Sequence, residues 1–187
     1  MKYNINSITE VERLAVPVGR RDHIQGPDNA PLTLLEYGDY ECPFCGKAHL
    51  AVKAIQQSLG KRVRFVFRNF PLSNAHPHAE HAAEAAEAAG AQGRFWEMHD
   101  LLFENQDAIE DDDLLEYAAA LELDTARVFA EIESEAYAAR IREDFMSGVR
   151  SGVNGTPTFF INGLRHDGGF DPESLLTGLM QASTDEV

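Results

Sequence analysis

The 187-residue sequence contains two cysteines, three positions apart in Cys42-Pro43-Phe44-Cys45. A disulfide between them would close a loop too small to remove much entropy from the unfolded chain. The pair is therefore read as chemical rather than structural. On the first turn of a helix, residues i and i+3 share a face at a separation that a disulfide can bridge. Pro43 suits such a start, because its missing N–H would have had no partner there and its φ is already helical. Unpaired N–H groups and the positive end of the helix dipole would then face Cys42 and favour its thiolate. Cys42 is thus expected to attack, and Cys45, one turn further in and less exposed, to resolve the mixed disulfide. A zinc site would need two more ligands than one CxxC supplies. Neither a metal nor an organic cofactor is expected.

Other residues have the types such chemistry requires. Glu36 precedes Cys42 by six residues inside an otherwise apolar run. Pointing inward, it would have a raised pKa and could pass a proton to or from Cys45; an exposed strand carboxylate is the alternative. Thr156-Pro157 opens an apolar run, a position proline tolerates in a strand, and an X-Pro bond can be cis or trans. Beside the cysteines it would leave the Thr156 backbone free to pair with an extended substrate. Phe44 and Tyr40, with Pro43 beside them, offer an apolar rim to an unfolded chain. Asp39 and Glu41, if near Cys42, should disfavour its thiolate. His76, His78 and His81 have the chemistry of metal ligands but lack an obvious acid or cysteine partner. They are expected to cap and pack.

The elements that would hold these residues follow from periodicity and turn chemistry. Pro31 to Tyr37 reads as a buried central strand closed by Gly38-Asp39, and Leu14 to Ile24 as an edge strand before the Gly26-Pro27-Asp28-Asn29 turn. Ala48, Ala51, Val52, Ile55 and Leu59 recur at helical spacing up to Gly60, and Val63 to Phe67 has strong β propensity. From Asn74 to Gly152 strand signals vanish. Five helices are expected there, over His78–Ala89, Arg94–Asn105, Asp112–Leu121, Thr125–Ile132 and Ala136–Val149. Thr158 to Ile161, an Asn162-Gly163 turn and Leu164 to His166 read as a hairpin. Asp171 and Pro172 then open a last helix as N-cap and first position. The order is β-α-β, helical insertion, β-β-α.

Composition narrows the function classes. A net charge of -15 argues against nucleic acid, which needs clustered Lys and Arg. Residues 1–72 hold ten Lys/Arg against seven Asp/Glu, and 73–187 hold six against twenty-four, so the acid lies on the helical half and beyond. It is expected to keep helical surfaces solvated. No run approaches the ~18 apolar residues of a membrane span, and Lys2, Glu10, Glu12 and Arg13 interrupt the start where a signal peptide needs an apolar stretch. A soluble, cytoplasmic protein without membrane partners is expected from the sequence as written, or a periplasmic or exported one if it is a trimmed mature form.

Several stretches together carry a family resemblance: Leu35-Glu36-Tyr37-Gly38-Asp39-Tyr40-Glu41 running into the cysteine motif, Phe70-Pro71-Leu72 with His76-Pro77-His78-Ala79, Gln92 to His99, and Val153-Asn154-Gly155-Thr156-Pro157-Thr158-Phe159. Spread from about Gly26 to Met180, they resemble the DsbA-like branch of the thioredoxin superfamily. The resemblance implies an α/β thioredoxin-like fold with a mixed central sheet and an inserted all-helical subdomain. Residues 1–73 and 153–187 would form the thioredoxin-like part and 74–152 the insertion. It also implies a nucleophilic Cys42, a resolving Cys45, a buried acid at Glu36 and a cis-proline at Pro157. Strongly oxidising members carry histidine where this chain has Phe44. Phe44 cannot donate a hydrogen bond to the thiolate, so a less oxidising couple is expected. The implied activity is dithiol–disulfide exchange with protein thiols and disulfides, with a redox partner protein or glutathione closing the cycle. A peptide-binding or chaperone-like module without redox turnover is the alternative.

Overall fold

The computed structural model describes residues 13–184. Five strands form one mixed sheet: β1 (His23–Gln25), β2 (Leu32–Gly38), β3 (Val63–Asn69), β4 (Thr158–Ile161) and β5 (Leu164–His166), in the spatial order β1-β3-β2-β4-β5. β2 runs parallel to β3 and antiparallel to β4, so it is the central strand and has neighbours on both edges. Both its faces are covered, which is why its sequence is a nearly unbroken apolar run rather than an alternating one. Side chains alternate across a strand. Leu32 and Leu34 therefore join Phe65, Phe67, Phe159 and Ile161 in one core layer, and Leu35 and Tyr37 join Val66 and Phe160 in the other. Glu36, in step with Leu32 and Leu34, points to the first layer.

That layer is roofed by α1 (Pro43–Leu59), through Cys45, Ala48, Val52 and Ile55, and by α7 (Pro172–Thr184), through Leu175 and Leu179. Between β3 and β4 come α2 (Ala79–Ala91), α3 (Phe95–Glu104), α4 (Asp111–Ala120), α5 (Thr125–Glu133) and α6 (Ala138–Arg150). α2 is buried nearly all round, and its alanine-rich sequence lets its neighbours approach closely. Phe145 of α6 stacks on Phe70 at 4.3 Å and closes the second layer. The Asn162-Gly163 hairpin turn has φ of 47° and 80°, the left-handed pair such a two-residue turn requires. Asp171 accepts the N–H of Ser174 at 3.0 Å and caps α7.

The N-terminal segment departs from expectation. Of Leu14–Ile24, only the end joins β1, and Arg13 makes a single bridge to Leu164. Pro17 has no N–H for a ladder. The carbonyls of Val16 and Pro17 instead accept from the guanidinium of buried Arg68, at 2.9 and 3.2 Å, and Asp22 pairs with the same group. A buried cation that needs acceptors has taken the place of a strand partner.

Candidate active site

Cys42 is the N-cap of α1 (φ -72°, ψ 118°), with Pro43 at the first helical position. Its carbonyl accepts the N–H of Cys45 at 3.0 Å and of Gly46 at 3.2 Å. Both cysteines are free thiols. Cys45 is fully buried, whereas Cys42 retains 3% exposure and is flanked by exposed Pro43 and Phe44. Cys45 is thus the less exposed of the two, as its place one turn further in implies, but Cys42 is itself covered. Thr156 covers it from β4's side, with its carbonyl oxygen 3.4 Å from Cys42 Sγ.

The pKa of Cys42 is brought down to about 5, first by a hydrogen bond from the Cys45 thiol. Burial works against this, but the Thr156 hydroxyl and the N–H groups of Cys45 and Phe44 add to it. That hydroxyl is buried, and its oxygen makes no hydrogen bond of ordinary geometry. Cys45 moves the other way, well above the usual thiol range, because it is buried, donates to Cys42 and faces Glu36. Glu36 is itself enclosed, opposite Phe67 on β3 and Phe159 on β4, and its Oε1 has no hydrogen-bond partner. Burial, then the charge of Cys42, pushes its pKa up to about 8. The Thr156-Pro157 bond is cis. Phe44 is 54% exposed and meets Phe170 edge-on at 6.2 Å, with Lys47 over its ring. Cys42, Cys45, Glu36, Thr156, Pro43 and Phe44 are thus gathered at one end of β2, next to the cis bond of Pro157.

Asp39 and Glu41 differ from expectation. The Asp39 carboxylate is buried and accepts from Glu41 N, Leu72 N and His76 Nδ1, each at 2.8 Å. Glu41 accepts from the backbone and ring of His78 at 2.7 and 3.1 Å. Each acid beside Cys42 is therefore held by a histidine of one loop, and the thiolate is favoured despite them. His81 pairs with Asp111 instead, so the three histidines do not converge.

Neither residue type nor spacing marked Gln106 in advance. Its Nε2 donates to the carbonyls of Tyr40 and Cys42, at 2.7 and 2.9 Å, and ties the end of the α3 region to the mouth of α1. A Cβ on Gly46 would lie 2.1 Å from its Oε1, so Gly46 makes room for it. Among the described residues, His49, His99 and Asp100 have metal-ligand atoms within 4.8 Å of one another. The Lys53 ammonium already pairs with Asp100, and His99 Nδ1 lies 3.1 Å from the Tyr40 hydroxyl.

A mixed five-stranded sheet, a CxxC opening the helix after its central strand and a cis-proline facing it define the thioredoxin-like class. The chain belongs to the thioredoxin family, whose pattern matches residues 19–179. Its fold is the DsbA-like form. It superimposes on oxidised BdbD from Bacillus subtilis with a TM-score of 0.81 at 22% identity, over 92% of this chain and 96% of that one. A thioredoxin-like oxidoreductase from Silicibacter pomeroyi gives 0.79 at 25% identity, over 89% and 94%. Wolbachia pipientis alpha-DsbA1 gives 0.76 at 20%, over 92% and 95%.

Among curated proteins, this chain is 48% identical over 170 residues to the Na(+)/H(+) antiporter NhaA 3 of Salinispora tropica, and 45% over 161 residues to the antiporter NhaA 1 of Mycobacterium sp. (strain KMS). The match takes in 90% and 85% of this chain but 26% of each relative, so the chain spans about a quarter of their length. These relatives overturn the expectation of a cytoplasmic protein apart from membranes. That expectation rested on a missing apolar segment, which describes only the residues in hand, whereas closely similar residues occur within antiporters. No helix among the described residues is long and apolar enough to cross a membrane.

Proposed function

We propose that the chain is a thiol–disulfide oxidoreductase that exchanges dithiol and disulfide with protein substrates through Cys42-Pro43-Phe44-Cys45. The observation that carries this reading is the opposed ionisation of the two sulfurs, with Cys42 at about 5 and Cys45 far above it. The DsbA-like fold supports the same class. In the reducing direction, the Cys42 thiolate attacks one sulfur of a substrate disulfide. A Cys42–substrate bond forms and the substrate's S–S bond breaks, leaving a substrate thiolate that takes a proton from solvent. Cys45 then gives its proton to Glu36 and attacks the Cys42 sulfur; the Cys42–Cys45 bond forms, the Cys42–substrate bond breaks, and the second substrate sulfur leaves as a thiolate that takes up a proton. Oxidation of a substrate dithiol runs through the same steps in reverse. A buried carboxyl with a pKa of about 8 suits this proton transfer, since it can hold or release a proton near neutrality. Thr156 and Pro157, with Phe44 and Pro43 as an apolar rim, are the proposed contacts for an extended substrate.

The test is equilibration in glutathione buffers of graded potential, acid trapping and counting of free thiols by mass. A two-electron transition is expected, together with insulin reduction that Cys42→Ser abolishes. A chain that never forms the Cys42–Cys45 disulfide would sink the reading. Peptide holding that survives in the Cys42→Ser, Cys45→Ser variant, without any such transition, would point to the binding module.

A further inference from the structure

His76 lies on the loop between β3 and α2, and none of the steps above uses it. Its ring Nδ1 is 2.8 Å from Asp39 Oδ2, and Asp39 stands three residues before Cys42 with its side chain fully buried. Two backbone N–H groups also bind that carboxylate, so it has donors of its own. The charged groups facing His76 are Asp39, Glu41 and Cys42. His78 takes up Glu41 through both its backbone and its ring. Burial opposes a charge on His76, but the hydrogen bond to Asp39 and the three negative groups outweigh it and raise its pKa. Of the three, only Cys42 changes charge during the reaction.

We propose that His76 is a redox-linked proton acceptor and a positioning residue, taking up a proton as the Cys42 thiolate forms and holding that charge towards the sulfur through its bond to Asp39. The inference rests on the redox reading above. When the Cys42–Cys45 disulfide oxidises a substrate dithiol, two electrons move to the enzyme, the enzyme S–S bond breaks and the substrate S–S bond forms. Two protons leave the substrate. One ends on Cys45 and the other, which Cys42 does not keep as a thiolate, goes to His76; reoxidation returns both. The Phe44 side chain has no donor to offer this sulfur, and His76 supplies a positive charge that acts on it. Linkage makes the effect mutual: the thiolate strengthens proton binding at His76, and protonated His76 strengthens ionisation at Cys42.

The experiment follows the histidine ring signals by NMR across pH 5–9, in protein oxidised and reduced with glutathione. The His76 midpoint is expected at higher pH in the reduced form. His76→Asn keeps a donor for Asp39 but no charge. In it the Cys42 midpoint, read by thiolate absorbance, is expected to rise by roughly half a unit or more, about threefold in the ionisation equilibrium. The slope of reduction potential against pH near neutrality should become shallower, because fewer protons accompany the electrons. A His76 midpoint that is the same in both redox forms overturns the inference while the couple stands, and so does an unmoved Cys42 midpoint in a folded His76→Asn. If no disulfide forms at all, the redox reading fails and the inference falls with it.

Discussion

At Cys42 four donors favour a negative charge, whereas a few residues away burial opposes one at Glu36. The two groups therefore bear on stability with opposite signs. The Cys42 thiolate contributes fully above pH 9 and that contribution is lost as pH falls through about 5. Glu36 favours the fold below its ordinary value of 4.5, and this is lost as pH rises through about 8. Glu36→Gln should accordingly stabilise the reduced protein at pH 9, by about 1–3 kcal/mol, and change it little at pH 6. It should also slow exchange about tenfold or more, because Cys45 loses its proton acceptor. Urea unfolding at both pH values and stopped-flow reduction would check this, and equal effects at pH 6 and 9 would contradict it. At this scale the sequence shows what lies close along the chain, namely the cysteine pair and the glutamate in an apolar strand. Asp39–His76 spans 37 positions and Cys42–Gln106 spans 64, and nothing in residue type records how loops fold back over such distances.

The regular elements were legible because each is marked by its own side chains. The five helices between β3 and β4 begin and end within a few residues of where their apolar spacing and caps set them, and Asn162-Gly163 forms its hairpin. The segment before β1 was not legible, since its strand-like composition competes with the acceptors that Arg68 needs once buried. Packing adds constraints that propensity misses, as Gly148 on α6 shows. Glycine in a helix interior costs up to about 1 kcal/mol relative to alanine, which makes Gly148→Ala look favourable. A Cβ there would lie 2.8 Å from the Phe70 ring and 3.0 Å from that of Tyr37, both in the second core layer. Gly148→Ala is therefore expected to destabilise the protein, by about 1–3 kcal/mol as other overpacked cores do. A rise in thermal midpoint would show that the rings can yield.

Across the whole molecule, a seam of buried acids joins the helices to the sheet. Glu87 of α2 accepts from His23 of β1, Asn69 of β3 and Arg140 of α6, at 3.0, 2.9 and 2.6 Å. Nearby, burial raises Asp144 to about 6 and Glu84 to about 7. For acids raised in this way, stability is present below the ordinary carboxylate range and is lost as pH rises through 6 and 7. The net charge of -15 adds self-repulsion in the same direction. The oxidised protein, which lacks the thiolate's contribution, is expected to melt higher at pH 5 than at pH 8. Asp144→Asn should flatten that difference, and a melting point that climbs steadily to pH 8 would refute the assignment.

Two distant parts of the chain meet at Cys42: Thr156 arrives with β4 and lies over the sulfur, and Gln106 reaches in from beyond α3 to hold the Cys42 carbonyl. The residue that carries the reactive atom is thus held by two parts of the chain besides its own helix. Whatever grips the helices from outside has a mechanical handle on the backbone of the nucleophile, without coming near its sulfur.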